Sequence, residues 1–302
     1  MRKLYRIVFA AIFAALACSV AVHAEDPKFQ AVSDVVYKTV GERQIKLNIY
    51  LPLKDGQTVK GAPLLIFINS GCWYSDNQGD GWFWRNIHAY ERGFAVASVG
   101  HRSISEAPFP AALEDVRAAV RFLRKHADEY GYDPDRFAVA GFSSGGNLAL
   151  SLGISDEKSP FNVGDNLDVS GQVQRVVDFY GPSDFVSIFE RYPRQALDCI
   201  YQAVGMPRES GEKENAQNAE LMKRAALYSP ITYVDSNYAP TLILHGTCDT
   251  AVPISQSALM YEKLLVFGVK ARFLPSDGGV HDCATLFPLA YVEREVFDFL
   301  NW

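Results

Sequence analysis

An α/β domain, with a mostly parallel central sheet and helices on both faces, is the fold class this 302-residue sequence predicts. Three observations carry that reading. Short β-type runs alternate with helical ones along most of the chain. Two of the runs, Pro63 to Ile68 (PLLIFI) and Phe94 to Val99 (FAVASV), are almost continuously apolar, as strands covered on both faces are. A third, Phe137 to Ala140, enters Gly141-Phe142-Ser143-Ser144-Gly145-Gly146 and passes at once into a small-residue, helix-forming stretch.

The first residues stand apart from this pattern. Arg2, Lys3 and Arg6 precede an apolar run from Ile7 to Val22 and a small-residue site at Val22-His23-Ala24. Residues 1–24 are expected to be a secretory signal peptide cleaved after Ala24, so that the protein is secreted or periplasmic. Cys18, after Ala15-Leu16-Ala17, offers a less favoured lipoprotein reading, because Ala15 stands where a larger aliphatic residue is usual. Residues 25–302 suit one large domain.

Within that domain, Val35 to Thr39 and Gln44 to Leu51 read as an opening antiparallel pair, the second alternating Ile45, Leu47 and Ile49. Ala111 to Tyr130 is the clearest helix. Leu113, Val116, Val120, Leu123 and Ala127 share one face, while Arg117, Arg121 and Lys125 lie off it. Pro108 and Pro110 mark its start and Gly131 its end. Val173 to Phe179, Thr241 to Leu244 and Lys270 to Leu274 supply further strands, and Pro288 to Leu300 a closing helix. Residues 185–238 interrupt the alternation with mixed helical sequence and a polar stretch from Arg208 to Asn218. So long a connection is expected to be a cap or lid over the carboxyl edge of the sheet.

Charge and cysteines narrow the function classes. The net charge is −6, and the leader holds three basic residues and no acidic one, so residues 25–302 carry −9. No basic run follows the leader, which argues against nucleic acid or an anionic membrane as partner, and no later segment is apolar for long enough to span a bilayer. Cys72, Cys199, Cys248 and Cys283 match no zinc spacing. In an oxidising compartment they can pair in three ways. Cys248 adjoins Asp249 and Cys283 lies two residues past His281, so a Cys248–Cys283 bridge follows if those two loops meet; buried free thiols are the alternative.

The chemistry resides in the Gly-x-Ser-x-Gly turn. Between a strand and a helix this pattern makes a tight, strained elbow that lifts a serine hydroxyl clear of the sheet. A serine needs a base to take its proton, a carboxylate to orient that base, and donors for the oxyanion that forms. Downstream of Ser143, Leu242-Ile243-Leu244 runs into a loop holding Asp249, the candidate acid, with Asp184 in reserve; Asp249 could also be a helix N-cap. His281 follows the next strand and the flexible Ser276-Asp277-Gly278-Gly279, and is the candidate base. His88 and His101 precede the serine, His126 lies in the long helix, and His245 abuts the acid and is read as bracing its loop. Strand Pro63 to Ile68 empties into Asn69-Ser70-Gly71-Cys72-Trp73, whose Gly71 and Cys72 amides, with that of Ser144, are the candidate oxyanion donors.

These segments together resemble the α/β-hydrolase superfamily. The branch is that of small secreted carboxylesterases related to hormone-sensitive lipase and to bacterial feruloyl and acetylxylan esterases. The likeness covers nearly all of residues 33–302. It rests on the segment at 69–73, RSISEAPFPAALE at 102–114, GFSSGG at 141–146, YGPSD at 180–184, SPITYVD at 229–235, LHGTCDTAVP at 244–253 and the His281 loop. The resemblance implies an α/β-hydrolase fold in which Ser143 is nucleophile, Asp249 orienting acid and His281 general base, with Gly71, Cys72 and Ser144 as amide donors. No metal or cofactor is implied. Two departures stand out. The family's oxyanion loop usually reads His-Gly-Gly-Gly-Trp, whereas Ser70 and Cys72 here forbid φ values open to glycine, and His101 stands where the family commonly has tyrosine.

The expected partner is a small-molecule or polysaccharide-linked ester, with acetyl or feruloyl groups on plant polysaccharide suggested by the resemblance. The aromatics after the oxyanion loop, Trp73, Tyr74, Trp82, Phe83 and Trp84, are candidate substrate contacts, with ordinary core packing as the alternative. Rival readings are a peptidase or aryl-amide hydrolase with the same triad, a lipase with an apolar lid, and a non-catalytic binder.

Overall fold

The computed structural model describes residues 28–74, 78, 82–191, 198–206, 219–282 and 286–302; the leader, Cys283 and the polar stretch 208–218 fall outside them. The described chain opens with two long antiparallel strands, β1 (Phe29–Val40) and β2 (Arg43–Lys54). Both extend beyond the alternating apolar positions, because the pairing is made by backbone groups and continues, across two irregularities in β1, past the point where side chains are buried. The short β3 (Gln57–Thr58) folds back on β2.

The remaining strands are β4 (Ala62–Ile68), β5 (Ala95–Val99), β6 (Tyr132–Phe142), β7 (Arg175–Phe179), β8 (Thr241–Gly246) and β9 (Ala271–Ser276). Across the sheet they run β1-β2-β5-β4-β6-β7-β8-β9. β2 joins β5 antiparallel, and every later neighbouring pair is parallel.

Alternation along the central strands divides the core into two layers. Leu64, Ile66 and Ile68 of β4 face one apolar cluster and Leu65 and Phe67 the other; in β6, Phe137 and Val139 oppose Ala138, Ala140 and Phe142. Helix α1 (Trp82–Asn86) and a terminal helix described below cover one layer, and α2 (Ala111–Lys125) covers the other. The single helix expected over 111–130 breaks at His126 (φ −104°, ψ 16°), and a further turn, α3 (Ala127–Tyr130), ends on Gly131 in the left-handed region at φ 84°.

Arg117 and Arg121 lie off the apolar stripe of α2 yet are buried, not solvated. Arg117 donates to Asp156 (2.8 Å) and to the carbonyls of Ser151 (3.0 Å) and Ile154 (2.8 Å). Arg121 donates to the carbonyl of Asp165 (2.8 Å) and to Asn162 Oδ1 (2.6 Å), and Arg124 to the carbonyls of Pro134 and Gln172, both at 3.0 Å. Spaced along one side of α2, the three guanidinium groups hold the irregular segment that follows helix α4 (Ser144–Leu152).

Between β7 and β8 lie α5 (Phe185–Arg191), α6 (Asp198–Ala203) and α7 (Ala219–Tyr228). Their apolar faces belong to the same cluster as α2. Phe109, just ahead of α2, stacks on Phe185 with centroids 6.3 Å apart and meets Tyr228 edge-on at 5.5 Å, while its amide donates to the Ala203 carbonyl at 2.9 Å. The described part of the insertion is therefore packed into the core. Helices α8 (Ser255–Val266) and α9 (Leu289–Leu300) complete the order. Among the described residues no helix is long and apolar enough to cross a membrane.

Candidate active site

The turn between β6 and α4 places Ser143 at φ 53° and ψ −118°, a strained geometry held from both sides. The Ser143 amide donates to the Phe179 carbonyl (2.9 Å), and its own carbonyl accepts from Asn147 N (3.0 Å). The flanking glycines are steric necessities. A Cβ on Gly141 would stand 2.2 Å from the Gly145 carbonyl oxygen, and one on Gly145 would stand 2.3 Å from that of Ile68 and 2.6 Å from that of Asn69. The elbow is thus pressed backbone to backbone against the start of the turn that follows β4.

His281 Nε2 lies 2.8 Å from Ser143 Oγ, and His281 Nδ1 lies 2.6 Å from Asp249 Oδ2. A carboxylate only accepts, so Nδ1–H donates to Asp249 and Nε2 is left to accept the serine proton. The Asp249 side chain is fully buried, with both oxygens occupied. Oδ1 accepts from the amides of Ala251 (2.8 Å) and Val252 (2.9 Å), and Oδ2 accepts from His281 and from His245 Nε2 at 3.2 Å. Burial pushes this carboxyl up, but hydrogen bonds from His245, His281 and the Val252 amide, with the charge of His281, outweigh it and hold Asp249 well below the usual carboxylate range.

His245 braces its loop and does more. Its Nε2 also donates to the Val252 carbonyl (2.9 Å), and its Nδ1 pairs with the Ser257 hydroxyl (2.7 Å). The acid and histidine loops meet directly: Cys248 N donates to the Gly279 carbonyl (2.8 Å) and Thr247 N to that of Ser276 (2.9 Å). The expected Cys248–Cys283 bridge involves residue 283, outside the described residues. The reserve acid, Asp184, is committed elsewhere, accepting from Val186 N (3.1 Å) and Ser187 N (3.3 Å) at the start of α5.

The turn after β4 runs through three successive positive φ values, Gly71 at 125°, Cys72 at 52° and Trp73 at 58°. Cys72 therefore adopts the left-handed backbone that its side chain disfavours, at a cost of about 1 kcal/mol. Gly71, Cys72 and Ser143 line one cavity of about 340 Å³, with Ser70, Phe142, Tyr180, His281 and Asp282. Ser144 is the first residue of α4, where amides have no intrahelical partner. His101 is buried, its Nδ1 2.9 Å from the Arg102 carbonyl.

Among the described residues, the aromatic contacts expected from sequence do not line this cavity. Trp73 is 2% exposed and sits edge-on to Phe109 (5.5 Å) and Phe185 (5.9 Å), anchoring the turn from below. Trp84 is wholly buried against Tyr50 (4.4 Å) and Phe29 (5.6 Å), and Phe83 packs on Phe142 (4.7 Å) and Phe179 (5.1 Å). Large rings gain most from desolvation, and the core took them. Tyr74 is exposed, donating to Gln202 Oε1 on α6 at 2.6 Å. Trp82 opens α1, and its side chain lies outside the described residues.

Two residues that sequence reasoning passed over shape the site. Tyr180 stacks obliquely on His281 with centroids 4.6 Å apart, and Phe142 lies parallel to Tyr180 at 6.0 Å. Tyr180 opens the YGPSD segment and Phe142 is the variable residue of the elbow; the signal was present in both motifs, without a role attached.

Comparison with known proteins agrees with this architecture. The probable carboxylic ester hydrolase LipM of Mycobacterium tuberculosis is 26% identical over 67% of this chain. Esterase LipQ of the same organism is 28% identical over 89%. The chain spans only 45% and 62% of these two relatives' own lengths. A truncated carbohydrate esterase from gut microbiota superposes with a TM-score of 0.72 at 26% identity, covering 92% of this chain and 99% of that one. The fold is that of the α/β-hydrolases. The BD-FAE family model matches residues 47–264, and the chain belongs to the BD-FAE family.

Proposed function

We propose that this protein hydrolyses carboxylic esters through an acyl-serine intermediate. The observation that carries the reading is the relay Ser143–His281–Asp249, closed at 2.8 and 2.6 Å beside a cavity lined by the turn after β4. Ser143 Oγ attacks the acyl carbonyl as His281 Nε2 takes its proton. The amides of Gly71, Cys72 and Ser144 stabilise the oxyanion, and the buried Asp249 charge stabilises the imidazolium. His281 then protonates the leaving alcohol. Water, deprotonated by the same nitrogen, releases the acid.

The substrate reading is a short acyl or feruloyl ester such as those on plant cell-wall polysaccharide, met after export directed by the leader. A cavity of about 340 Å³ suits a small acyl group or a single phenolic ring, and one solved relative is a carbohydrate esterase.

Ser143→Ala is expected to abolish turnover of p-nitrophenyl acetate and labelling by a fluorophosphonate while the circular dichroism spectrum is unchanged; retained turnover sinks the assignment. Rates on acetylated xylan, methyl ferulate and p-nitrophenyl butyrate rank the substrate classes, with the first two expected to lead in kcat/KM.

A further inference from the structure

The turn that follows β7 holds a residue in a conformation its side chain disfavours. Tyr180 has φ 47°, the left-handed region that bulky residues avoid, and is only 4% exposed. Its amide donates to the Leu244 carbonyl (2.9 Å), which keeps the backbone there. The ring so placed lies against His281, with centroids 4.6 Å apart, and has His245, the other imidazole on Asp249, at 6.2 Å. Behind it Phe142 lies parallel at 6.0 Å and is itself packed on Phe83 and Phe179, both at 4.7 Å. The ring is thus one wall of the cavity, backed by the core and pressed on the base of the relay. We propose that Tyr180 is a positioning residue for the second half of the reaction, holding His281 in register while Ser143 is acylated. The inference rests on the ester-hydrolase reading above.

The argument turns on what acylation takes away. In the free protein the imidazole is anchored at both nitrogens, by the Ser143 hydroxyl at Nε2 (2.8 Å) and by Asp249 at Nδ1 (2.6 Å). When Ser143 Oγ bonds to the acyl carbon, its proton passes through Nε2 to the leaving alcohol. The ester oxygen then has no hydrogen to donate, and one anchor is lost. The His281 side chain is also 24% exposed where that of Asp249 is fully buried, so the imidazole is the freer partner. A ring tied at one nitrogen can tilt about that bond.

Deacylation cannot tolerate the tilt. Nε2 must take a proton from water as the water oxygen bonds to the acyl carbon, then return a proton to Oγ as the C–Oγ bond breaks. A displacement of about 1 Å at such a centre is enough to slow the step severely. The Tyr180 ring is a restraint that acylation leaves in place, because it acts on the imidazole through contact and not through the serine proton. That accounts for a large aromatic kept at a left-handed turn.

The test separates the two halves of the cycle. The protein is mixed with p-nitrophenyl acetate in a quench-flow apparatus, and the acetyl group on Ser143 is followed by mass spectrometry. Tyr180→Leu is expected to slow loss of the acetyl group about tenfold. It is expected to lower kcat and KM together, leaving kcat/KM, which reports acylation, within about threefold of wild type. Tyr180→Phe, which keeps the ring, is expected to restore acetyl loss to within about threefold of wild type. Acetyl loss slowed less than threefold by Tyr180→Leu overturns the proposal. So does a fall in kcat/KM as large as that in kcat, which a general structural defect would give. A defect in Tyr180→Phe equal to that in Tyr180→Leu assigns the effect to the hydroxyl and overturns the role of the ring. Where Tyr180→Leu does not fold, Tyr180→Met, which fills the space without a flat wall, is put through the same measurements and decides. Absence of any acetyl adduct on Ser143 in the wild-type protein sinks the ester-hydrolase reading and this inference with it, whereas an adduct whose decay ignores position 180 sinks the inference alone.

Discussion

Ser143 shows how a single residue can be both strained and well supported. Its backbone angles are maintained by hydrogen bonds to one strand, β7, and from one helix, α4, and by glycines that leave no room for a methyl group. Asp249 depends on a similar convergence of donors. Replacing it by Asn supplies an N–H where an acceptor is needed and favours the wrong imidazole tautomer. Asp249→Asn is expected to lower kcat on the order of 10³–10⁴-fold with KM little changed, and a loss below tenfold in steady-state assays removes it from the relay. Asp178 behaves in the opposite sense. Burial pushes this β7 carboxyl well above its ordinary range, against the Gly181 amide that donates to it at 2.9 Å. The native state thus keeps a proton that the unfolded chain releases near pH 4, so this residue's contribution to stability falls as pH rises above that point. Asp178→Asn is expected to raise the melting temperature at pH 8 by more than at pH 5; an equal or reversed effect contradicts the assignment. Ser143, Asp249 and His281 were legible in the sequence because each ends an apolar run in a loop and their order is constrained. The second imidazole on Asp249, His245, was not, since its bond depends on how the loop closes.

At the scale of elements, α2 is informative. Its apolar stripe is plain in the sequence, yet the arginines beside it are not on a solvated face. They satisfy carbonyls of a segment with no regular structure of its own. Nothing in a helical periodicity distinguishes such arginines from solvated ones, because the partners lie 34–39 residues away in the chain for Arg117 and 41–44 for Arg121. Arg117→Ala removes the charged donor to Asp156, which keeps Ser170 and Gly171, and a donor to each of two carbonyls, and about 3 kcal/mol of stability is expected to be lost. Urea denaturation measures it, and a loss under 1 kcal/mol means the segment is held by other contacts. The aromatics after the oxyanion turn teach the same lesson in reverse. Composition marked a cluster of rings but not which of them would be sealed beneath the turn.

For the molecule as a whole, the mostly parallel sheet followed from uninterrupted apolar runs and the helices between them, whereas the strand order and the packing of the insertion did not. The same strands supply both core layers, through alternate residues of β4 and β6. Neither layer can dissolve while the other persists. Urea midpoints followed by near-ultraviolet dichroism and by ester hydrolysis are therefore expected to coincide; activity lost well before the dichroism would instead mark the insertion as a separate cooperative unit.

The contact of Gly145 with the carbonyls of Ile68 and Asn69 has a consequence for descent and for engineering. It fuses the Ser143 elbow and the turn after β4 into one stiff body that tolerates almost no drift. Tyr180 and Asp282 also wall the cavity and lie outside that contact. On the proposed ester-hydrolase reading, substitutions there can exchange one acyl or alcohol preference for another while the elbow and turn beneath stay unchanged.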